Sequence, residues 1–323
     1  HEAFRVFATM NPGTDVGRSR LSKAMRSRWS TVWTEGQTMA DITQIMAERY
    51  QDAIPLPMLR DLITAHEELY QAAEVGDLGR SNGRMTFTLR NLFRVAERIK
   101  TFRGDIDDAP LLRREVEEVY VDGLWDPVER QQAQDLLDAV LPLSHAPYAE
   151  LKVEQTPERF TIGDVSIERR PGSHPLTPSE EAMLILTPRT KKALYKIAKA
   201  AAMKENISLI GERASGKTAI AKMYAMLRGL PYQRQGVCRE TDLSSLIGSY
   251  DHRGFVERPL LQSFRSDGDG GVFVADEWNL ANAAIKERLN SVLDNERQLA
   301  VVEKAGSEIV EAHADYVFIA TGN

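Results

Sequence analysis

The sequence predicts an α/β fold, in which a parallel sheet with flanking helices follows an all-helical region. Three observations lead to this prediction. A Gly-rich loop beginning at Gly211 lies between an apolar run and a helical run, and two further apolar runs lie at 272–277 and 316–323. Residues 38–140 instead show helical periodicity of their apolar residues. The short apolar runs suit buried strands, whereas the long periodic segment suits a helical bundle.

The composition suits a globular chain and argues against several classes of protein. The chain has 323 residues, of which 42% are hydrophobic and 27% are charged, and its net charge is −6. This balance supplies a core and disfavours direct binding of nucleic acid. The single cysteine, Cys238, excludes an internal disulfide framework and fits a reducing, intracellular compartment. The sequence has no apolar run long enough to span a membrane, no secretory signal and no initial Met, so we expect a piece of a longer or processed protein.

The N-terminal elements are predicted from local pattern. A β-type run at 4–10, followed by the turn residues 11–13, predicts a strand, and residues 30–33 predict another short strand. A short helix is predicted over 21–29. Longer helices of a small bundle are predicted over 39–50, 56–73, 88–100, 111–120 and 127–140, with a Gly-rich loop at 77–84.

Residues 141–186 are punctuated by prolines and predict a connector rather than a packed domain. Within it, residues 150–154 and 160–167 predict two strands, which a hairpin would join. Thr187 as N-cap and Pro188 in the first turn then predict a helix that runs to residue 203.

The loop at 211–218 reads G-x-x-x-x-G-K-T, the pattern of a phosphate-binding P-loop. A predicted strand at 207–210 precedes it and a predicted helix at 219–227 follows, a context that a chance Gly-rich turn would lack. Backbone N–H groups of such a loop point at phosphate oxygens, Lys217 can reach the β- and γ-phosphates of ATP, and Thr218 can ligate Mg²⁺. The predicted nucleotide-binding residues are Gly211, Glu212, Arg213, Ala214, Ser215, Gly216, Lys217, Thr218 and Ala219.

A second apolar run, 272–277, ends in the adjacent acids Asp276 and Glu277. Adjacent acids at a strand end also occur by chance, but an upstream P-loop favours a functional pair. Asp276 is then expected to bind the Mg²⁺ held by Thr218, directly or through water, and Glu277 to orient and polarise the attacking water. Asn323, at the tip of the last predicted strand, is a candidate contact to the γ-phosphate or the water, or else a turn residue. Between these motifs, a strand is predicted at 232–238, a helix cap at 240–248 and a helix at 283–293.

Together these segments resemble AAA+ ATPases of the dynein-related, midasin-type subgroup. The resemblance is carried by the helix start at 186–188, the P-loop, and the stretches 241–250, 276–281, 288–293 and 318–323. It implies a P-loop AAA+ domain preceded by an all-helical AAA+ small domain, with ATP and Mg²⁺ as cofactors and hydrolysis of ATP as the activity. In this subgroup the residue at Asn323 is the sensor 1 asparagine.

The N-terminal residues 4–17 resemble the same family ending, and residues 6–11 weakly repeat 317–323. The resemblance implies that Asn11 is a sensor 1 residue, that Arg28, with Arg26 beside it, is an arginine finger, and that Arg90 is a sensor 2 residue. An isolated arginine is more often a solvated surface charge. These three assignments therefore depend on the matching neighbours.

The resemblance implies four parts in the chain. Residues 1–37 would end one AAA+ large domain, 38–140 would form its helical small domain, 141–186 would be a connector, and 187–323 an incomplete second large domain. The connector is also similar to that of giant AAA+ proteins that carry a von Willebrand A domain. Arg28 would complete the site of a preceding module, and the Lys217 site would need an arginine from a following one. Slow hydrolysis of bound ATP is therefore expected.

The resemblance implies a mechanochemical remodelling ATPase, with neighbouring AAA+ modules or subunits in a ring as partners and a protein complex, such as a ribosome precursor, as substrate. The expected location is the cytoplasm, or the nucleus for a eukaryotic member of the subgroup. The alternative is a structural module that binds ATP without hydrolysing it, against which Glu277 argues. A microtubule motor is disfavoured because nothing resembles a stalk, and a nucleic-acid translocase because the net charge is −6.

Overall fold

The N-terminal part of the protein is helical, and the C-terminal part is built on a parallel sheet. The computed structural model describes residues 5–9, 22–80, 87–104, 108–141, 151–170, 177–265 and 267–322. Buried apolar residues between Ile42 and Leu141 form one core, whereas those between Phe160 and Ala320 form two further clusters. The helical core and the sheet clusters therefore draw on separate stretches of the chain.

The helical region packs five longer helices around its core. Thr38 begins the second helix with a capping box, in which its hydroxyl accepts from the Asp41 N–H at 3.2 Å and Asp41 accepts from the Thr38 N–H at 2.8 Å. The elements are α1 (Lys23–Arg26), α2 (Met39–Tyr50), α3 (Leu56–Glu74), α4 (Leu89–Phe102), α5 (Asp108–Val116), a π-helical turn (Glu117–Val121) and α6 (Pro127–Val140). The predicted helices are thus present, with small shifts at their ends.

Both predicted N-terminal strands are wrong within the described part of the chain. Residues 5–9 and 30–33 have no strand assignment, and their side chains are exposed, with Phe7 at 91% and Val32 at 83% of full exposure. A β-type run becomes a strand only when its N–H and C=O groups pair with a neighbour. The sheets formed by the described residues include neither run.

The connector folds into a small antiparallel sheet. Its strands are β1 (Val153–Gln155), β2 (Arg159–Ile162) and β3 (Val165–Glu168), in the order β1-β2-β3. The second predicted strand is therefore divided in two, because Gly163 turns the chain with a φ of +60°. A Cβ at this position would come within 2.8 Å of Leu151, so the turn requires glycine.

Two helices lead from the connector into the sheet domain. They are α7 (Pro178–Met183) and α8 (Pro188–Ala202). Thr187 caps α8 as predicted, since its hydroxyl accepts from the Thr190 N–H at 3.2 Å.

A four-stranded parallel sheet forms the centre of the C-terminal part. The elements are β4 (Ile207–Ile210), α9 (Lys217–Arg228), β5 (Tyr232–Gly236), α10 (Leu243–Leu246), β6 (Gly248–Asp251), β7 (Gly254–Glu257), α11 (Pro259–Phe264), β8 (Val272–Asp276), a 3₁₀ turn (Trp278–Leu280), α12 (Ala283–Arg288), α13 (Asn290–Leu293), β9 (Gln298–Val301), β10 (Glu308–Glu311) and β11 (Val317–Gly322). The strand order is β4-β11-β8-β5.

The sheet is buried on both faces, which explains the nearly continuous apolar runs of its central strands. Val274 and Ile319 face one apolar cluster, whereas Phe273 and Phe318 face the other. Because β11 pairs in parallel with both β4 and β8, the carboxyl ends of all three strands meet at one edge. The P-loop follows β4 at this edge, and the two acids follow β8.

Several features of this region were not anticipated. The single helix expected at 283–293 is two helices divided at Leu289, and the antiparallel hairpins β6–β7 and β9–β10 have no counterpart in the prediction. Their short strands carry many polar residues, so their periodicity is weak. Among the described residues, no helix has both the length and the apolar character needed to cross a membrane.

A buried cluster of charges joins the helical region to the sheet domain. Lys199 of α8 is fully buried, and its amine donates to Glu115 at 2.7 Å and to Glu118 at 3.1 Å. Arg98 of α4 donates to Glu118 at 3.1 Å and to Glu205, just after α8, at 2.6 Å. Burial disfavours the charged form of Glu118, but Lys199 and Arg98 outweigh this effect and lower its pKa.

Candidate nucleotide-binding site

The loop between β4 and α9 curls around the amine of Lys217. Lys217 Nζ donates to the carbonyl oxygens of Gly211 at 2.7 Å and Glu212 at 2.9 Å. Gly216 precedes α9 with a φ of +86°, a left-handed conformation that glycine adopts without steric cost. The strand, loop and helix expected around the P-loop motif are therefore present, and Lys217 is the first residue of α9.

The two acids lie beside the loop at the end of β8. One oxygen of Asp276, Oδ1, accepts a hydrogen bond from the Thr321 hydroxyl at 2.6 Å and lies 3.5 Å from the Thr218 hydroxyl. Glu277 follows with a φ of +58°, and its N–H donates to the Thr321 hydroxyl at 3.2 Å. A non-glycine residue in this conformation is uncommon and often marks a functional site.

The pKa of Asp276 is lowered from its ordinary value. Partial burial acts in the opposite direction, but the hydrogen bonds from Thr321 and Arg234 and the positive charge of Arg234 outweigh it. The carboxylate is therefore ionised at neutral pH. An ionised carboxylate beside a hydroxyl is a set of oxygen donors that fits Mg²⁺, so Thr218 and Asp276 could hold this ion.

A cavity of about 610 Å³ opens between the P-loop and the acids. Its volume lies within the ordinary range for small-molecule sites. It is lined by residues 213–219, Asp276, Glu277 and Leu280. The structure thus brings together the predicted loop residues from Arg213 to Ala219 and both acids, whereas Gly211 and Glu212 contact Lys217 through their carbonyls.

Of the four remaining predicted residues, the structure describes Arg28 and Arg90, and neither lines this cavity. Arg28 follows α1 and is exposed, and Arg90 lies in the first turn of α4 and is also exposed. Asn11 and Asn323 lie outside the described residues. Their roles stay predictions.

Sequence reasoning missed two residues that contact Asp276. Thr321 precedes the last glycine of β11, within the stretch 318–323 that carried the family resemblance, so its position was a usable signal. Arg234 lies on β5, and its Nε donates to Asp276 Oδ2 at 3.0 Å. The sequence shows Arg234 only as a charged residue within a predicted strand, and it does not say that β5 lies beside β8.

A family model matches the part of the chain that contains this site. Residues 206–323 match the family model described as AAA domain (dynein-related subfamily). This match spans the region from just before β4 to residue 323, and the expected resemblance to dynein-related AAA proteins is confirmed.

The whole chain is similar to part of the midasins. It is 27% identical over 354 aligned residues to midasin of Dictyostelium discoideum and 26% identical over 353 residues to midasin of Giardia intestinalis. These alignments cover 100% and 94% of this chain but only 6% and 7% of those proteins. An uncharacterized protein of Staphylococcus epidermidis is 28% identical over 141 residues, which are 41% of this chain and 49% of that protein.

Proposed function

We propose that this chain binds and hydrolyses ATP as part of a mechanochemical remodelling ATPase of midasin type. The observation that carries the proposal is the approach of Thr218 Oγ to Asp276 Oδ1 at 3.5 Å, at the edge of a cavity formed by the P-loop. Thr218 belongs to the unit of β4, the P-loop and α9, whereas Asp276 ends β8. The order of the strands in the sheet therefore brings the two residues together. The domain match and the similarity to midasins support the same function.

Each group has a proposed role in the chemistry. The backbone N–H groups of 213–219 and the Lys217 amine bind the phosphates of ATP. Thr218 and Asp276 hold Mg²⁺, which neutralises charge on the phosphates when it is bound. Glu277 lines the same cavity and orients and polarises the attacking water.

The remaining parts of the proposal concern neighbours of this site. Arg28 serves a nucleotide in a neighbouring module, Arg90 acts as sensor 2, and Asn11 and Asn323 act as sensor 1 residues. The four parts 1–37, 38–140, 141–186 and 187–323 follow from this arrangement. Neighbouring AAA+ modules or subunits are then the partners, and a protein complex, of the kind handled in ribosome assembly, is the substrate inside the cell.

The alternative function is a structural module that binds ATP without hydrolysis. The position of Glu277 disfavours it, because a site that only binds nucleotide does not need an acid to activate water. The two functions differ in one measurable respect, since only the first predicts turnover that depends on this carboxylate.

The direct test measures binding and turnover of ATP with Mg²⁺. We expect the unsubstituted chain to bind ATP and to turn it over slowly, because an arginine finger contributes about 10³–10⁵ in rate to related reactions. Lys217→Ala should abolish binding, and Glu277→Gln should retain binding but lose the residual turnover. Lys222→Ala, an exposed lysine on α9 that does not line the cavity, is the matched control.

The outcomes separate the alternatives. Fast turnover that Glu277→Gln abolishes would indicate that copies assemble and that Arg28 of one copy serves the Lys217 site of the next. Binding of ATP with no turnover above background, in the unsubstituted chain and in Glu277→Gln alike, would favour the structural module. No binding by the unsubstituted chain would refute the proposed function.

A further inference from the structure

Arg234 holds one oxygen of the carboxylate that is proposed to bind the metal. On β5 it lies opposite Val274 of β8, while Gly236 lies opposite Asp276, so the arginine side chain extends along the sheet toward the acid. Its Nε donates to Asp276 Oδ2 at 3.0 Å, and its Nη2 donates to the same oxygen. The other oxygen, Oδ1, contacts Thr321 and Thr218.

The two oxygens of Asp276 therefore face different partners. Oδ1 faces the hydroxyls, on the side of the P-loop, whereas Oδ2 faces a guanidinium that is permanently charged. Mg²⁺ and Arg234 are both cations, so each weakens the attraction of Asp276 for the other. The contact with Arg234 thus opposes binding of a metal at this carboxylate.

The contact is also one that can be broken at low cost. The Arg234 side chain is 53% exposed, whereas that of Asp276 is 15% exposed. A half-exposed ion pair contributes little to stability, because water and salt screen it. The arginine can therefore leave Oδ2 without disturbing the core, which a buried ion pair could not do.

We propose that Arg234 is a positioning residue that competes with Mg²⁺ for Asp276 and thereby sets the Mg²⁺ concentration needed for nucleotide binding. The inference rests on the proposed function, since it assumes that Asp276 takes part in binding Mg²⁺ with ATP. It adds a role for a residue of β5, a strand whose described residues do not line the cavity.

The experiment titrates Mg²⁺ against the intact chain and follows binding of a fluorescent ATP analogue at a fixed concentration. For Arg234→Gln we expect the half-saturating Mg²⁺ concentration to fall about two- to fivefold, the range that a half-exposed ion pair can supply. Arg239→Gln is the matched control, because this exposed arginine follows the same strand and does not line the cavity. It should leave the midpoint unchanged.

A second comparison tests the route through Asp276. In an Asp276→Asn background, Arg234→Gln should no longer shift the Mg²⁺ midpoint, because the carboxylate for which Arg234 and Mg²⁺ compete is absent. A shift that persists there would overturn the inference. An Mg²⁺ midpoint that is unchanged in Arg234→Gln would also overturn the inference. If Arg234→Gln in addition lowers the affinity for the analogue in EDTA, where Mg²⁺ is removed, Arg234 contacts the phosphates instead.

The same titration distinguishes the two proposals. If the unsubstituted chain binds the analogue and Arg234→Gln behaves identically, only the role of Arg234 is wrong. If the unsubstituted chain binds no analogue at any Mg²⁺ concentration, the proposed function is wrong and the inference is wrong with it.

Discussion

At the scale of single residues, Thr321 links the two acids of the candidate site. Its hydroxyl donates to Asp276 at 2.6 Å and accepts from the Glu277 N–H at 3.2 Å, and its side chain is almost fully buried. One hydroxyl therefore orients the proposed metal ligand and satisfies the backbone of a residue in a left-handed conformation. The position of Glu277 depends on a residue that sequence reasoning did not single out.

We predict that Thr321→Val destabilises the chain by about 1–3 kcal/mol, because the partly buried Asp276 carboxylate and the Glu277 N–H each lose a partner. Urea unfolding measures this free energy. Thr321→Ser is the matched control, since it keeps the hydroxyl and loses only a methyl group. Equal losses of unfolding free energy in the two variants would show that packing of the methyl group, rather than the hydrogen bonds of the hydroxyl, accounts for the contribution of Thr321 to stability.

At the scale of elements, a buried histidine connects α3 to the π-helical turn. His66 Nδ1 lies 2.7 Å from the Tyr120 hydroxyl, and both side chains are buried. Burial lowers the pKa of His66 to about 4, because the core disfavours the charged imidazolium. The helices therefore pack around the neutral form of His66.

This lowered pKa predicts how stability changes with pH. Between its ordinary pKa of about 6.5 and about 4, His66 binds a proton in the unfolded chain but not in the folded one, so stability falls as the pH falls through this window. The loss should approach about 3 kcal/mol at the lower end. Urea unfolding measures the free energy of unfolding at pH 7 and at pH 4.5, and the difference between the two values should be smaller for His66→Gln than for the unsubstituted chain.

His252→Gln, at an exposed histidine, is the control and should retain the full difference between the two pH values. If His252→Gln reduces this difference as much as His66→Gln does, the assignment to His66 is wrong.

At the scale of the whole molecule, the charged cluster around Lys199 connects the helical region with the sheet domain. Lys199 and Glu115 are both fully buried, and they come from opposite sides of this boundary. Such a pair need not add stability compared with apolar residues, but removing one partner leaves a buried charge without compensation. The cluster therefore makes the packing of the two regions sensitive to single substitutions.

We predict that Lys199→Met destabilises the chain by about 3–5 kcal/mol, because the buried Glu115 and Glu118 then each lose one of their cations. Lys196→Met is the matched control on the same helix, since Lys196 pairs with the half-exposed Asp122 and should contribute less than about 1 kcal/mol. Urea unfolding followed by circular dichroism measures both values. Similar losses of unfolding free energy in the two variants would show that the buried cluster contributes no more to stability than the more exposed pair.

The sequence by itself determined the parts of this protein that depend on neighbouring residues. The P-loop, the apolar run that ends in Asp276 and Glu277, and most of the helices are contiguous patterns, so local conformational preference and periodicity predict them. The confirmed family resemblance depends on the same contiguous stretches.

Only the tertiary structure decided which distant residues meet. Arg234 lies 42 residues before Asp276 and Thr321 lies 45 residues after it, and they reach it because β5 and β11 flank β8. Strand order and register are set by packing across the whole sheet, which a local pattern does not contain. The β-type residues at 5–9 and 30–33 show the same limit, because they belong to no sheet among the residues that the structure describes.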